Sequence, residues 1–522
     1  MAYTSAPTFN SQQLKRVPVQ NSQMPGAGLA LGTNYINCQP RKYNQWGTDP
    51  QHVIEKRPYL YQSSPSGYSS TDVPRGFYVD PSNSFQYYVQ ADDAKMTSTL
   101  IGTLHYSEGY VSICKYLINT TQYIVFLENH SSAAYIHYYD TATTTFTSVA
   151  LGTGASGDVV FLDGYLFYAS ELATSTPKQR IYNSTIGAPM TWASGTDYVD
   201  AEMFADKIIG LAKHRNMIVA MGESSIEFFY DNANQYGSPL TRNPSYAQQI
   251  GNIRPVFSGA DWMHQTPNWT SVGDMLFFFG LSREGTLGVY KLENFQITNV
   301  TNQFLQRYLN SYEIGQIVAN ITTGYRAIRL HTVNVRGTPG VMLTVHRNSD
   351  DSYKVFVFIV EENVWVEWQW LTSTDHKLYP LFVSTSNHFT WMLCSEYYSA
   401  ADHYVGYQLL NYEEANVAGE EVTSTIVTDL YDFGTDNRKF FRYADVLGDF
   451  GDNTITLSYT KDSNYATYTS MGTVSYGTWK KDTPIRYRNL GASSRLGLKI
   501  VVTGPGNMLM EGTELAYNQG QL

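Results

Sequence analysis

From Asp158 to Val300 the sequence repeats one plan: an apolar strand, a tight polar turn and a second apolar strand. The clearest turns lie at Asp163 and Gly164, at 214–216, at 222–225 and at 282–285. Asp-Gly between two apolar runs is the strongest short-range hairpin signal, because both central turn positions need a positive φ. Hairpins that recur about every 40–50 residues are typical of a β-propeller. The chain is therefore predicted to be all-β, with a propeller as its main body.

The spacing of the strands predicts six blades. They are placed within 76–150 (two blades), 158–200, 207–250, 270–300 and 325–410. The last of these regions is long enough for one blade with an insertion or for two blades. The stretch 231–268 carries four prolines and is predicted to be the least regular internal segment.

A single helix is predicted just after the fifth blade. Phe304, Leu305, Tyr308 and Leu309 fall at helical spacing and share one face. Thr301 precedes them and is a residue type that caps helix N-termini.

The composition limits the kinds of partner that the chain can have. Its formal net charge is −11, which does not suit tight binding to the phosphates of nucleic acid. Charged residues make up 16%, against the usual value of about 25%. Such a surface is either covered by other subunits or built from neutral polar side chains, and both interpretations stay open. Tyrosine, with 42 residues, suits strands and interfaces alike.

Cysteine usage and the N-terminus bear on the compartment. Cys38, Cys114 and Cys394 lie far apart and form no CxxC motif, so neither a zinc site nor a disulfide framework is expected. This pattern indicates a reducing cytoplasm. The first residues do not resemble a signal peptide, and no run of about 18 apolar residues predicts a membrane-spanning helix.

Four regions are predicted along the chain. Residues 1–33 form an extended arm, and 34–75 form a segment that packs with the C-terminal β domain. Residues 76–415 form the propeller with loop insertions. Residues 416–522 form a small β-sandwich or jelly roll, because polar and apolar residues alternate strictly over 454–459, as in a half-buried strand.

No motif predicts catalysis, a cofactor or a metal. Residues 152–157 match G-x-G-x-x-G by letters, but they open into a strand, whereas a dinucleotide site needs a helix there. The acidic pairs 361–362, 413–414 and 420–421 are adjacent residues, which point to opposite faces of a strand. We therefore expect no enzyme activity and no small-molecule substrate.

Three groups of segments, in this order, resemble the packaged-DNA stabilisation or tail-nozzle (tail hub) proteins of short-tailed bacteriophages, the podovirus type. The first is residues 34–37 (NYIN) with 55–58 (EKRP). The second is 160–164 (VFLDG), 209–212 (IGLA), 222–231 (GESSIEFFYD) and 272–278 (VGDMLFF). The third is 436–443 (DNRKFFRY), 486–491 (RYRNLG), 495–497 (RLG) and 511–515 (EGTEL).

The resemblance implies a fold and a place in the virion. The fold would be a six-bladed propeller with a second β domain built near the termini. Copies of the chain would form a homohexameric ring below the portal and adaptor ring proteins, close the DNA channel, retain the packaged genome and conduct it during ejection. Its partners would be tail fibre, spike or needle proteins and double-stranded genomic DNA, bound without sequence specificity. The protein would be made in the host bacterial cytoplasm and end in the phage tail.

Two sets of residues are candidates for these contacts. The subunit-interface candidates are Phe440, Phe441, Tyr443, Tyr487 and Arg488. If Phe440 and Phe441 lie on a strand, their rings point to opposite faces, so that one is buried and the other at a contact; burial of both stays open. The candidates for an acidic wall of the channel are Glu413, Glu414, Glu420 and Glu421.

The alternative function is a carbohydrate-binding or glycoside-cleaving propeller in a receptor-binding tail component. It requires acidic residues and tryptophans in one pocket. The only dense tryptophan group is Trp365, Trp368 and Trp370, and their spacing fits strand packing. The structural function is therefore preferred.

Overall fold

The structure is a computed structural model of the chain. It describes residues 13–17, 34–43, 51–65, 67–118, 120–129, 133–152, 154–171, 179–193, 195–204, 206–234, 236–252, 268–310, 328–347, 352–370, 378–386, 389–398, 401–410, 422–432, 434–462, 465–475 and 484–519. Apart from one short helix, all regular elements in these ranges are β-strands, which confirms the all-β fold class. No helix in these ranges is long and apolar enough to span a membrane.

The chain divides into two compact units. One, the propeller unit, comprises Leu60–Val360 and Trp370–Asn411. The other, the terminal unit, comprises Met1–Tyr59, Glu361–Gln369 and Tyr412–Leu522. The second unit is thus assembled from three separate stretches of sequence.

The propeller unit contains seven antiparallel sheets that follow one another along the chain, and we number them blades 1 to 7. Blade 1 is Pro74–Val79, Gln86–Gln90, Asp93–Met96 and Thr99–Thr103. Blade 2 is Val111–Ile118, Thr121–Glu128, Tyr135–Asp140 and Thr145–Ala150. Blade 3 is Gly154–Leu162, Tyr165–Glu171, Arg180–Asn183 and Tyr198–Asp200. Blade 4 is Ile208–His214, Met217–Gly222, Ile226–Asp231 and Leu240–Gln248.

The remaining blades are less regular. In blade 5 two short strands share one partner, and the members are Ile250–Asn252, Trp269–Val272, Met275–Ser282, Leu287–Glu293 and Gln296–Asn299. Blade 6 has three strands within this unit, Arg329–Val335, Thr338–Arg347 and Ser352–Ile359. Blade 7 is Leu378–Ser386, Phe389–Tyr398, Ala401–Leu410 and Tyr59–Gln62.

The blades close into a ring. The inner strand of each blade contacts the inner strand of the next, and that of blade 7 contacts that of blade 1. The outermost strand of blade 7 comes from Tyr59–Gln62, which precedes blade 1 in the sequence. Beyond it, the Ser63 amide donates to the Gly406 carbonyl at 2.9 Å, and the Gly406 amide donates to the Ser64 hydroxyl at 2.9 Å. An early strand in the last blade thus holds the two ends of the ring together.

The predicted hairpins are present, and their turns have the predicted geometry. Asp163 and Gly164 take φ values of 48° and 91° between Gly154–Leu162 and Tyr165–Glu171. Arg215, in the next predicted turn, has φ 55°. Each hairpin buries apolar side chains between neighbouring blades, as Val160, Phe167 and Leu211 do between blades 3 and 4. Local turn chemistry therefore forms the hairpins, and inter-blade burial aligns them.

The predicted number of blades is wrong, because the described residues of the propeller unit form seven. The region 325–410 holds two blades, which was one of the two possibilities left open. The stretch 231–268 is also more regular than predicted, because Leu240–Gln248 is the outer strand of blade 4; residues 253–267 lie outside the described ranges. The number of blades was predicted wrongly because the strands of adjacent blades have the same sequence pattern, so the boundary between two blades is not visible in the sequence.

The predicted helix is present as Gln303–Asn310, with Leu305 and Leu309 buried. Its N-terminal cap is Asn302 and not Thr301. The Asn302 side-chain oxygen accepts from the Leu305 amide at 2.8 Å, which satisfies one of the free helix-terminal donors. The Thr301 hydroxyl instead accepts from the Val289 amide at 2.7 Å.

The terminal unit consists of two sheets. The first contains Gln13–Val17, Cys38–Tyr43, Gln51–Lys56, Leu509–Gln519, Lys439–Asp449 and Ile485–Ser493. The second contains Val364–Trp368, Asn34–Ile36, Ser424–Val427, Gly497–Thr503, Thr454–Thr460 and Thr469–Ser475. The Tyr487 hydroxyl of the first sheet donates to the Ile455 carbonyl of the second at 2.9 Å, so the sheets pack together as in a sandwich.

The N-terminal arm is described only at Gln13–Val17. This strand pairs antiparallel with the C-terminal strand Leu509–Gln519, with Gln13 opposite Tyr517. The predicted domain limits can be compared with the two units. The propeller unit begins at Leu60, earlier than the predicted residue 76, and Glu361–Gln369 belongs to the terminal unit.

The environment of Asp429 indicates that the stability of the terminal unit depends on pH. Its carboxylate is buried, and Oδ1 has no hydrogen-bond partner among the described residues. Burial raises the pKa of Asp429 from 3.8 to about 6, so the folded state holds the proton more tightly than the unfolded state. The stabilisation is complete below the ordinary pKa and is lost as the pH rises through about 6. We expect Asp429→Asn to raise the melting temperature of this unit at neutral pH and to flatten its dependence on pH.

Calorimetry at a series of pH values measures this effect, because it resolves the unfolding transitions of the two units. Asp452→Asn, at an exposed carboxylate of the same unit, is the matched control and should leave the profile unchanged. Equal pH profiles for Asp429→Asn and the wild type would contradict the prediction.

Candidate functional site

The axis of the propeller unit is crowded at blades 3, 4 and 5. Trp269 begins an inner strand of blade 5, and its ring lies against Gly210 of blade 4 and Gly157 of blade 3. A Cβ on Gly210 would lie 2.5 Å from the Cη2 of Trp269, and a Cβ on Gly157 would lie 2.8 Å from the Gly210 Cα. Blades 3 and 5 are not neighbours in the ring, so the Trp269 ring reaches past blade 4 to blade 3 on the inner side of the propeller.

A half-buried carboxylate lies beside this tryptophan. Asp158 of blade 3 accepts hydrogen bonds from the Tyr110 hydroxyl at 2.7 Å and from the Ser112 hydroxyl at 2.9 Å, both at the inner edge of blade 2. The Trp269 indole also donates to it. Burial raises the pKa of Asp158, and these three donors offset part of that rise.

The other side of the axis is filled by Arg329 of blade 6 and Phe382 of blade 7. The guanidinium of Arg329 donates to the Leu381 carbonyl at 2.5 Å and lies 5.1 Å from the centre of the Phe382 ring. Tyr110 stacks on the same ring at 6.3 Å. Burial lowers the pKa of Arg329. Side chains from blades 2, 3, 5, 6 and 7 therefore meet at the axis, and we call Tyr110, Asp158, Trp269, Arg329 and Phe382 the axial cluster.

The axial cluster does not have the layout of a glycosidase. That chemistry needs two carboxyl groups about 5–10 Å apart, one as acid and one as base or nucleophile. Within the cluster Asp158 is the single carboxylate, and its three donors are a tyrosine, a serine and a tryptophan. Trp365, Trp368 and Trp370 are buried, so none of them offers an open face to a sugar ring.

A second polar cluster joins blades 1 and 2 and consists of His105, Glu128 and His137. Their possible ligand atoms lie within 4.8 Å of one another, as in a metal site. The Glu128 carboxylate, however, already accepts from His137 Nε2 at 3.2 Å, from Arg75 at 3.2 Å, and from the amides of His105 and Tyr106 at 3.1 and 2.8 Å. With four donors on its two oxygens and a guanidinium beside it, this carboxylate has no lone pair left for a cation.

Glu128 instead fixes the two blades to each other. Its partner Arg75 in blade 1 also donates to the carbonyls of Gly109 at 2.8 Å and Ala91 at 2.6 Å. Burial alone raises the pKa of Glu128, but the His137 hydrogen bond and the charge of Arg75 outweigh it and lower the pKa overall. The Arg75–Glu128 pair is thus a buried structural ion pair.

The terminal unit presents exposed arginines and one exposed aromatic ring on two paired strands. On Lys439–Asp449 and the residue before it, Arg438, Phe440 and Arg442 are exposed. On the paired strand Ile485–Ser493, Arg486 and Arg488 are exposed. We call Arg438, Phe440, Arg442, Arg486 and Arg488 the arginine face.

Part of the arginine face is held rigidly. Arg486 pairs with Asp445 through two hydrogen bonds of 2.8 and 2.7 Å, and its guanidinium lies 3.9 Å from the centre of the Tyr443 ring. A bidentate carboxylate and an aromatic ring fix the plane of the guanidinium.

The predicted interface candidates separate by burial. Phe440 is 51% exposed and Phe441 is 4% exposed, which confirms opposite orientations and excludes burial of both. Tyr487 is also buried, and its hydroxyl is bound within the unit. Phe441 and Tyr487 therefore belong to the core of the terminal unit. Their burial contradicts the prediction that they contact another subunit. Arg488 is exposed and Tyr443 is half-buried.

The candidates for the channel wall, Glu413, Glu414, Glu420 and Glu421, lie outside the described residues. The axial cluster was missed by the sequence analysis, because its members contact across blades that are not neighbours and no spacing along the chain reports this. The arginine face had a signal: Arg438, Phe440 and Arg442 alternate with buried residues.

One protein family matches the chain. It is Phage_stabilise, described as "Bacteriophage P22 Gp10, beta-propeller", and the match covers residues 115–332. Over these residues the propeller is similar to the Phage_stabilise family. The resemblance seen in the sequence is therefore confirmed, and the Phage_stabilise match lies in the propeller unit, from blade 2 to the first strand of blade 6. A structural phage family implies a component of the virion involved in stabilising packaged DNA.

Other comparisons add little to the Phage_stabilise match. No curated protein sequence matches the chain. Among solved structures, the "AfRom2 CNH domain" has a TM-score of 0.32 at 8% identity and covers 75% of this chain and 99% of its own. A Trypanosoma rangeli sialidase in complex with 2,3-difluorosialic acid has a TM-score of 0.33 at 8% identity and covers 89% of this chain and 96% of its own. At this level of similarity neither likeness bears on function.

Proposed function

We propose that the chain is the tail-nozzle protein of a short-tailed bacteriophage. Its copies form a ring, expected to be a homohexamer, that closes the DNA channel below the portal and adaptor ring, retains the packaged genome and conducts it during ejection. The observation that carries this proposal is the match of residues 115–332 to the phage-stabilisation propeller.

The axial cluster supports a channel that lies outside the propeller. Tyr110 contacts Asp158 on one side and Phe382, beside Arg329, on the other, so side chains of non-neighbouring blades occupy the inside of the ring. The major groove of duplex DNA is by itself about 12 Å wide. A duplex therefore has no path along this axis. The conduit must then be enclosed by several copies arranged around it, and a closed ring of identical copies is built from head-to-tail contacts.

The chemistry of the channel wall follows from its task. Phosphate contacts retard a sliding duplex, whereas an acidic wall repels phosphates within a Debye length of about 8–10 Å. We assign Glu413, Glu414, Glu420 and Glu421 to this wall, in keeping with the net charge of −11. Portal and adaptor proteins and a fibre, spike or needle protein are the remaining partners of the proposed ring, and the host cytoplasm is its site of synthesis.

Particles that lack the chain test this function. We expect heads that package DNA and then lose it, measured as DNA released to added nuclease, and no six-fold ring in negative-stain images of their tails. Supplying the wild-type chain should restore both. Particles that keep their genome without the chain would contradict the proposed function.

The same complementation tests the acidic wall. A chain with Lys at positions 413, 414, 420 and 421 should assemble but eject DNA more slowly at low salt, because the added charges bind phosphate. The two-residue variant Glu413→Lys with Glu414→Lys has a charge-matched control in Glu361→Lys with Glu362→Lys, in a turn of the described structure. Equal ejection rates for the two variants would contradict the assignment of these glutamates to the channel wall.

A further inference from the structure

A second exposed surface, on the propeller unit, is complementary to the arginine face. It is formed where the Asp163–Gly164 turn and the 184–197 connection of blade 3 meet the 231–240 connection of blade 4. Its exposed apolar side chains are Ile186, at 60% exposure, and Tyr236, at 85%. With the carboxylates of Asp163, Asp197 and Asp231, we call these residues the acidic rim.

Contacts among the loops show that the acidic rim is one continuous patch. The Gly187 amide donates to the Gly164 carbonyl at 3.1 Å, which holds Ile186 against the turn. A Cβ on Gly237 would lie 3.7 Å from the Thr196 carbonyl, so the loop with Tyr236 adjoins Asp197. Burial raises the pKa of Tyr165, and the charges of Asp231 and Asp197 raise it further, so both carboxylates act on one side chain.

The carboxylates of the acidic rim are available to a partner. Among the described residues, none of the three lies in an ion pair with a lysine or arginine. Asp231 Oδ1 accepts from the Ala233 amide at 2.7 Å, and Asp197 accepts from the Thr196 hydroxyl at 2.9 Å, so both are held in place by their own loops. Lys213, a basic group close to the Asp163 turn, donates through its ammonium to the Phe161 carbonyl at 3.2 Å.

The arginine face has the opposite charge and a similar layout. Arg442 and Arg488 are exposed, and no carboxylate of the described residues pairs with either. Arg438 lies over the Phe440 ring at 5.8 Å. The acidic groups on or beside this face include Asp445, which Arg486 neutralises, and Glu514, which is opposite Asp445 on the next strand. Asp436, two residues before Arg438, pairs with Arg495 at 3.4 Å. The arginine face therefore carries four arginines on two paired strands, together with one exposed aromatic ring beside Arg438.

Resting on the ring proposed above, we infer that the arginine face of one copy docks on the acidic rim of the next copy. Exposed aromatic rings and arginines are the residue types enriched in interface cores, where the ring is buried and the guanidinium pairs with carboxylate. Two different surfaces that meet head to tail are what a closed ring of identical subunits requires.

Duplex DNA is the less suitable occupant of the arginine face. A phosphodiester backbone would pair with the arginines but would leave Phe440 in water, and the chain as a whole is acidic. A second copy supplies both the carboxylates and the apolar side chains, Ile186 and Tyr236, that would cover the ring.

Charge reversal on each surface tests the inference in the full-length chain. One variant carries Arg442→Glu and Arg488→Glu, and the other carries Asp197→Lys and Asp231→Lys. Sedimentation velocity over a range of concentrations should show association weakened about tenfold or more for each, since like charges then face each other. A chain with all four changes should regain much of the association, because the two charges are exchanged across the contact.

Controls show whether a variant loses association because the contact is lost or because the chain no longer folds. Arg283→Glu with Glu284→Lys reverses charges in an exposed loop of blade 5 and should associate as the wild type does. Melting temperatures within a few degrees of wild type show that a variant folds. Rings that tolerate both reversals, or four changes that fail to restore association while both units remain folded, would overturn the inference.

Two further outcomes have distinct meanings. If the arginine reversals leave rings intact but abolish salt-dependent binding of a fluorescent duplex, the arginine face is a DNA surface and the inference is wrong. A wild-type chain that stays monomeric at every concentration, alone and with tail particles that lack it, would overturn the proposed ring itself.

Discussion

Replacing Glu128 with glutamine is expected to lower the free energy of unfolding of the propeller unit by about 3–5 kcal/mol. The change keeps the shape but removes the charge that compensates Arg75, whose side chain is as fully buried as that of Glu128. The new amide group would also point donors at His137 or at the amides of His105 and Tyr106, which already donate.

Calorimetry measures this loss in the propeller transition, with the transition of the terminal unit as an internal reference. Glu284→Gln, at an exposed carboxylate of blade 5, is the matched control and should change stability by no more than about 0.5 kcal/mol. Combining Glu128→Gln with Arg75→Met should recover part of the loss, because no buried charge then remains. A loss no larger than that of the control would contradict the role of the buried Arg75–Glu128 ion pair in joining blades 1 and 2.

The stabilisation by the Arg75–Glu128 ion pair depends on pH in a defined direction. Because the folded-state pKa of Glu128 is lowered, its stabilisation is present above the ordinary carboxyl range and is lost as the pH falls through the folded pKa. The wild type and Glu128→Gln should therefore approach each other in stability as the solution becomes acidic.

Replacing Trp269 with alanine is expected to have an effect of similar size, a loss of about 3–5 kcal/mol in the propeller transition. The indole lies against Gly210 and Gly157 and donates to Asp158, so its removal leaves both a cavity and a weakened set of donors on a half-buried carboxylate. Blades 3, 4 and 5 would lose the side chain that joins them across the axis.

A second substitution tests whether contact with the glycine is the cause. Gly210→Ala should destabilise the wild type, because its Cβ would lie 2.5 and 2.9 Å from two atoms of the Trp269 ring. In the Trp269→Ala background the same change should cost much less, since the ring is gone and the Gly157 Cα, 3.0 Å away, is the remaining obstacle. Additive effects of the two substitutions would contradict the proposed packing.

The predictions from the sequence succeeded where the signal is local. The turn at Asp163 and Gly164 needs two residues that tolerate positive φ, and the alternation of Phe440 and Phe441 follows from the pleat of a strand. The helix after blade 5 was found from its apolar spacing, but its cap was placed one residue early because Thr301 and Asn302 are both capping types.

The functional surfaces were only partly predictable. Arg488 and Phe440 were named and are exposed, whereas Phe441 and Tyr487 were named and are buried in the core of the terminal unit. An aromatic residue on a strand has the same propensity on either face, so the choice of face depends on which sheet lies against it.

The sequence by itself determined the strands, the hairpin turns, the all-β class and the resemblance that the family match confirmed over residues 115–332. The tertiary structure alone decided that seven blades close the ring in the described residues, that Tyr59–Gln62 completes the last of them, and that Tyr110 joins Asp158 and Phe382 inside the ring. The reason is physical: a turn is specified by the φ preferences of two or three adjacent residues, whereas ring closure and axial packing depend on side chains far apart in sequence, whose contacts exist only once all the blades are in place.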